Sequence, residues 1–217
     1  SPGNNGNGNG IRLEIHALPG LQGRRHWESL DSSLSPPTPT QVRSIVERLG
    51  TGGDDPFFGP RDSPGRALIQ TVQPSTFEDL VLCQQLDTPP LIEAGWPLRF
   101  TDGGGEVKPP HPGQDQPLLP HTRGLPMYQE DLMGVLATAA GYGGADAYRF
   151  LKVLSRDRPG ETALAKEDFL ERAVRNGFTR SHAECLLAVI EEGARLGVCK
   201  ANAISMGYLA AGLVLGE

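Results

Sequence analysis

Residues 128–142, which read YQEDLMGVLATAAGY, contain a clear helical pattern. From Leu125 to Ala140, apolar side chains recur every three or four residues, which is the spacing of one face of an α-helix, at Leu125, Tyr128, Leu132, Val135, Leu136 and Ala139. Gly141 follows the last of these positions, and glycine is common just after the C-terminal end of a helix. The stretch therefore predicts a helix with one buried face that ends near Ala140.

Helical patterns also fill the rest of the C-terminal half. They cover residues 144–154, 162–176 and 180–195. Gly160 and Gly177 are expected to separate them. The most apolar stretch, residues 204–216, is shorter than the roughly 20 residues that a membrane-spanning helix needs, so it predicts a buried helix. We expect residues 125–217 to form one helical region.

The N-terminal half combines short patterns with strong breaks. Residues 1–10 are an Asn/Gly-rich stretch, expected to be a flexible lead-in, and residues 11–15 alternate apolar and polar side chains as a short strand does. Amphipathic patterns predict helices over residues 21–30, 41–49, 64–72 and 75–86. Ser75 and Glu78 have the spacing of a capping box for the last of these helices, and Thr40 could cap the helix of residues 41–49. Residues 97–124, rich in Pro and Gly, predict one long irregular loop.

Composition excludes several classes of protein. With 217 residues, of which 38% are hydrophobic, the chain can build one sizeable domain or two small ones. Its net charge of −6 gives no overall attraction to nucleic acid. The three cysteines lack CxxC spacing, which favours reduced thiols in a cytoplasmic protein over a disulfide framework. Residues 147–182 hold the main concentration of basic side chains, which is typical either of a solvated surface or of a phosphate-binding face.

Six segments, in order along the chain, are similar to motifs of one enzyme family. Residues 128–133 (YQEDLM) and Ala140-Gly141-Tyr142 resemble a YQEQ(V/L)M helix followed by an AG(Y/F) turn. Residues 150–159 (FLKVLSRDRP) resemble LRRAMGKKKP, and residues 168–177 (DFLERAVRNG) resemble (K/R)FLEGAVENG. The family is that of the C-family bacterial DNA polymerases, which comprises the alpha subunit of the replicase and its error-prone relative.

The resemblance continues on both sides of these segments. Residues 197–203 (GVCKANA) are similar to the family's GF-x-KSHA motif, residues 73–81 (QPSTFEDLV) to LKPDSFEDIV, and residues 13–18 (LEIHAL) to the FDFLGL strand. The resemblance implies a mainly α, fingers-like fold with a short β element near the N-terminus. Residues 11–96 would hold the end of the palm and the first fingers helices, residues 97–124 the loop, and residues 125–217 the helical fingers.

The resemblance also implies sites. Arg12 matches a family lysine that contacts the incoming triphosphate, Lys152 matches one member of a basic pair, and Lys200 matches the lysine of KSHA. Glu14 lies where the family has a metal-binding aspartate, so Mg²⁺ is implied by the family only. Residues 177–183 (GFTRSHA) also resemble the KSHA motif. The match to the family, however, runs without a gap from residues 168–177 to residues 197–203, so we expect residues 177–183 to be the start of a helix.

Two functions follow from these observations. In the first, the chain is a fragment or a degenerate paralog of the polymerase alpha subunit. It would act in replication or translesion repair in the bacterial cytoplasm. It would contact DNA or a deoxynucleoside triphosphate, with Arg156 and Arg158 as further DNA contacts, without catalysis of its own. In the second, it is a non-enzymatic helical module that binds a polymerase or sliding clamp through residues 204–215. Salt dependence of DNA binding would separate the two.

Overall fold

A computed structural model describes residues 36–53, 55, 58–102, 119–156 and 158–215. These residues form ten α-helices and no strand longer than an isolated bridge. The helices, in chain order, are α1 (Pro39–Thr51), α2 (Pro64–Val72), α3 (Phe77–Leu86), α4 (Pro89–Glu93), α5 (Trp96–Thr101), α6 (Gln129–Ala140), α7 (Gly144–Leu154), α8 (Pro159–Arg175), α9 (Arg180–Leu196) and α10 (Lys200–Leu215). The expected mainly helical fold is confirmed.

Most helices begin and end within a few residues of the predicted positions, but their caps differ. Helix α1 is capped by Thr38 rather than Thr40, in a complete capping box in which the Gln41 N–H donates to Thr38 Oγ1. Helix α3 is capped by Thr76 rather than Ser75. Gly160 lies in the first turn of α8 rather than at a helix C-terminus, because Pro159 already starts that helix.

The first lobe, defined as α1–α5, α10 and residues 125–128, surrounds one hydrophobic core. Helix α10 packs on α1 and α3 and closes this core although it comes last in the sequence. Ala203, Ala210 and Ala211 of α10 are buried, and four larger side chains are partly buried against the same core, namely Ile204, Tyr208, Val214 and Leu215. Residues 204–215 therefore form a helix that is partly buried against this core, and their use as an interaction surface stays a prediction.

The second lobe, defined as α6–α9, has a separate core. Each of the four helices packs on the other three, around the rings of Tyr142, Phe150 and Phe169. The Tyr142 hydroxyl donates a hydrogen bond to Asp168 Oδ2 at 2.7 Å. Burial is the largest cause that raises the pKa of Tyr142 above its ordinary value, and this hydrogen bond to a carboxylate is the second.

A small set of contacts joins the lobes. Glu192 of α9 accepts hydrogen bonds from Trp96 Nε1 at 2.8 Å and from Arg99 Nη1 at 2.6 Å, both on α5. Gly193 comes next, and a Cβ there would lie 2.7 Å from the Pro126 carbonyl oxygen and 2.5 Å from Leu132 Cδ1. Only glycine lets α9 approach the chain this closely at the start of α6.

Several expectations fall wholly or partly outside the described residues. These are the lead-in of residues 1–10, the strand of residues 11–15 and the helix of residues 21–30. The loop expected over residues 97–124 is wrong at its edges, because residues 97–101 belong to α5 and Pro120–Thr122 form a 3₁₀ turn. Pro97 is tolerated in the first turn of that helix, where its missing N–H is not needed. None of the described helices is long and apolar enough to cross a membrane.

Candidate nucleic-acid and nucleotide interface

Lys200 is positioned where the start of α6 meets the turn before α10. Tyr128 and Val198 form a parallel bridge. The Val198 N–H donates to the Met127 carbonyl at 2.8 Å, and the Gln129 N–H donates to the Val198 carbonyl at 3.0 Å. Two segments that are far apart in the sequence therefore meet immediately before Lys200.

Glu130 caps the N-terminus of α10 from the neighbouring helix. Its carboxylate accepts the Lys200 backbone N–H at 2.8 Å and the Cys199 thiol at 3.2 Å. Desolvation alone would raise the pKa of Glu130, but these hydrogen bonds outweigh it and hold the pKa below the usual range of a glutamate. Glu130 is therefore ionised at neutral pH and complements the positive end of the helix dipole.

Glu130 contacts the backbone of Lys200, and the side-chain ammonium group makes separate contacts. It lies 5.3 Å from the centroid of the Tyr128 ring and 3.6 Å from Asp131 Oδ1, and the lysine side chain is 38% exposed. Because Glu130 already accepts from the first N–H of α10, a phosphate would reach this helix end through the Lys200 ammonium. Ala201 and Asn202, which replace the serine and histidine of KSHA, are exposed beside it.

Lys152 lies in the last turn of α7. Its ammonium is 5.1 Å from the centroid of the ring of Tyr148, which lies one helical turn earlier and is 49% exposed. Leu151, which stands where the resemblance places the first residue of a basic pair, is only 3% exposed and belongs to the core of the second lobe. At this position the chain therefore offers one basic side chain and an exposed aromatic ring to a ligand.

Arg156 and Arg158 lie between α7 and α8, where they line an open groove. Arg156 is exposed, and Arg158 forms an exposed ion pair with Glu161 at 3.0 Å. Such a pair is weak in water, so it does not prevent Arg158 from contacting a phosphate.

The two remaining sites, Arg12 and Glu14, lie outside the described residues. Within the described residues, no three His, Cys, Asp or Glu side chains come together as a metal site requires. We therefore derive no step through a metal ion.

Residues 177–183 contain the start of a helix, as the gap-free match to the family predicts. Thr179 is the N-cap of α9 and accepts the His182 N–H at 3.2 Å. Phe178 is buried in the core of the second lobe. The GFTRSHA sequence thus serves capping and packing, and Lys200 remains the candidate phosphate contact.

A family model provides the decisive comparison. The model of the bacterial DNA polymerase III alpha subunit finger domain matches residues 62–177, which run from just before α2 to the end of α8. The chain belongs to this finger-domain family. The match includes Lys152, Arg156 and Arg158, whereas Lys200 lies beyond it.

The finger-domain assignment agrees with similar proteins. The chain is 29% identical over 208 residues to the DNA polymerase III subunit alpha of Pseudomonas aeruginosa, which covers 92% of this chain and 17% of that protein. It is 31% identical over 144 residues to the subunit of Pasteurella multocida, covering 62% of this chain and 12% of that protein. It is 26% identical over 175 residues to that of Staphylococcus epidermidis, covering 79% and 16%. The chain spans less than a fifth of each relative.

In this finger-domain chain, the structure adds residues to the candidate interface that the sequence did not indicate. Glu130 and Asp131 were part of a recognised motif, but their contact with Lys200 bridges about 70 positions and has no local signal. Lys166 and Arg195 line the same groove as Arg156 and Arg158. Lys166 belongs to the basic stretch of residues 147–182 that the sequence indicated, whereas Arg195 comes from another helix and lies outside that stretch.

Proposed function

We propose that this chain is the finger region of a DNA polymerase III alpha-like protein, either a fragment or a degenerate paralog. It contacts the phosphates of DNA or of an incoming deoxynucleoside triphosphate and does not catalyse nucleotide addition by itself. The observation that carries the proposal is the placement of Lys200 by the YQED segment of α6. The family membership supports a role in DNA replication or in translesion repair.

The scaffold around Lys200 supports phosphate contact at this position. Glu130 accepts the Lys200 backbone N–H and so orders the first turn of α10, from which the lysine side chain projects. The ammonium group lies beside the Tyr128 ring and 3.6 Å from Asp131 Oδ1. Because hydrogen bonds between an ammonium group and a phosphate are charge-assisted and strong, a phosphate would compete with Asp131 for Lys200.

The second contact is the Tyr148–Lys152 pair at the end of α7. An ammonium group beside an exposed aromatic ring suits a phosphate that is linked to a base, since the base can stack while the phosphate pairs with the charge. Arg12 and Glu14 stay in the proposal as further nucleotide and metal contacts on the strength of the family resemblance alone. If Glu14 serves as the family's metal-binding aspartate does, its carboxylate would bind Mg²⁺.

The domain layout is part of the proposal. Residues 1–10 would be the lead-in, residues 11–96 the end of the palm and the first finger helices, and residues 125–217 the helical fingers. The family match over residues 62–177 supports the finger assignment of the middle of the chain. Other polymerase domains and a sliding clamp are proposed partners.

DNA binding tests the proposal directly. A labelled primer-template duplex is titrated with the chain at about 50 mM and about 200 mM salt, and the wild type is compared with Lys152→Ala and Lys200→Ala. We expect weak binding that falls steeply with salt, because a chain with a net charge of −6 binds DNA only through local phosphate contacts. Each substitution should weaken binding. It should also reduce by about one unit the salt slope, which is the slope of log affinity against log salt concentration.

The matched control is Arg43→Ala, which removes the same charge from an exposed position of α1. We expect it to leave the affinity unchanged. Unchanged binding in both lysine variants, or no wild-type binding at low salt, would contradict the proposal. Binding of a polymerase subunit or clamp with little salt dependence would then favour the interaction module.

A further inference from the structure

The groove between the end of α7 and the start of α8 is a feature that the proposed function does not explain. It has a volume of about 560 Å³ and is open to solvent. Arg156, Arg158, Lys166 and Arg195 contribute its basic side chains. Leu154, which is 9% exposed, adds apolar surface. A concave site with basic side chains and an apolar surface matches the chemistry of a phosphate that is attached to a sugar or a base.

The groove is a tertiary feature. Arg156 and Arg158 come from the connection between α7 and α8, Lys166 lies about two turns into α8, and Arg195 lies in the last turn of α9. Because α8 and α9 pack closely, these side chains face one concave surface. Arg195 stands outside the basic stretch that the sequence indicates.

Among the described residues, the four basic side chains of the groove outnumber the two carboxylates that pair with them. Glu161 pairs with Arg158, and Glu191 pairs with Lys166, each in a partly exposed ion pair. Arg156 and Arg195 are exposed, and the described residues include no ion-pair partner for either of them. Partly exposed ion pairs contribute little stability, so a phosphate can compete for Arg158 and Lys166 as well.

We propose that this groove binds phosphate groups of a nucleic acid strand or of a nucleoside triphosphate, and that Lys166 and Arg195 are binding residues in addition to Arg156 and Arg158. The inference deepens the proposed function, on which it rests, because both require a phosphate ligand. It differs in placing binding residues on α9 and in the middle of α8, away from Lys200.

The test uses the full chain and two probes. A fluorescein-labelled single-stranded oligonucleotide is titrated at about 50 mM and about 200 mM salt, and dATP is then titrated by calorimetry. We expect Arg195→Ala to weaken binding of at least one probe by about threefold to tenfold and to lower the oligonucleotide salt slope by about one unit when the strand is the ligand. Arg156→Ala combined with Arg195→Ala should weaken it further.

Arg175→Ala is the matched control. Arg175 is an exposed arginine in the last turn of α8, about 20 Å along the helix axis from Thr162 in the groove.

A loss of affinity confined to the oligonucleotide assigns the groove to a nucleic acid strand, and a loss of affinity confined to dATP assigns it to a nucleotide. Circular dichroism of each variant during thermal unfolding establishes that the fold is intact.

Three outcomes would overturn the inference. The first is unchanged binding of both probes by Arg195→Ala, and the second is an equal loss with Arg175→Ala, which would mean that only overall charge matters. If Lys152→Ala and Lys200→Ala weaken DNA binding in either of these cases, the proposed function stands without the groove. The third is a wild type that binds neither probe at low salt, which would overturn the inference and the proposed function together.

Discussion

At the scale of single residues, Glu130 explains how a motif on one helix controls the start of another. Its carboxylate accepts the Lys200 backbone N–H and the Cys199 thiol, which orders the first turn of α10. The sequence of the motif identified the segment, but it did not indicate this role. A carboxylate from another helix can cap an N-terminus only after the chain has folded, so no local pattern encodes it.

We therefore predict that Glu130→Ala lowers the free energy of unfolding by about 1 kcal/mol at neutral pH, as the loss of a helix cap does. Because the pKa of Glu130 is lowered in the fold, the contribution is present above the ordinary glutamate pKa and is lost as the pH falls through the lowered value. Urea unfolding at about pH 7 and about pH 3 measures both effects.

Glu171→Ala, at an exposed position of α8, is the control and should change stability little. An equal loss of stability in the Glu130 variant at both pH values would contradict the role of the ionised carboxylate.

At the scale of elements, α6 shows what a local sequence can determine. The periodicity and the position of Gly141 predicted its C-terminal end, and the structure ends α6 at Ala140 with Gly141 at φ +67°. The predicted start at Leu125 is wrong, because the chain before Gln129 is extended and Tyr128 pairs with Val198. The C-terminal end was predictable because glycine readily adopts a positive φ, whereas the N-terminal end depends on a tertiary contact.

We predict opposite effects for two glycine substitutions in this element. Gly141→Ala should destabilise the chain by about 1 kcal/mol, since alanine is strained at positive φ although the site has room for a Cβ. Gly134→Ala should stabilise it by about 0.5 to 1 kcal/mol, because Gly134 is exposed in the middle of α6 and a Cβ there meets nothing within 4 Å. Thermal and urea unfolding of both variants would check the signs, and equal signs would contradict the explanation.

At the scale of the whole molecule, the two lobes have separate cores. Glu192 is one polar link between them besides Glu130, since it accepts hydrogen bonds from Trp96 and Arg99 of the first lobe. Trp96 has no exposed surface, so its indole N–H cannot turn to water without a rearrangement. This link connects positions more than 90 residues apart and has no signature in the sequence.

We predict that Glu192→Ala destabilises the chain by about 1 to 3 kcal/mol, because it leaves the buried Trp96 N–H without an acceptor. Glu184→Ala is the control on the same helix: it breaks an exposed ion pair with Arg180 and should cost less than about 1 kcal/mol. Unfolding should be followed by tryptophan fluorescence and by circular dichroism. Equal costs for the two variants would contradict the role of Glu192.

The whole chain is also the scale at which catalysis is tested. The chain spans 17% of the Pseudomonas aeruginosa subunit, and its described residues bring no three metal-binding side chains together. Two-metal phosphoryl transfer needs carboxylates that hold both metal ions, and the family resemblance offers only Glu14. We predict that the purified chain does not extend a primer on a template with the four deoxynucleoside triphosphates and Mg²⁺. Template-dependent extension, after a mock purification has shown no contaminating polymerase, would disprove this.

The sequence by itself determined the helices of the C-terminal half, the glycine that ends α6 and the family to which the chain belongs. These depend on the spacing of apolar residues, on backbone preferences and on short motifs, all of which are local. Only the tertiary structure decided that α10 completes the first lobe, that Glu130 orders Lys200, and that Arg195 joins Arg156 in one groove. Each of these contacts joins segments far apart in the sequence, and such contacts exist only when the helices pack.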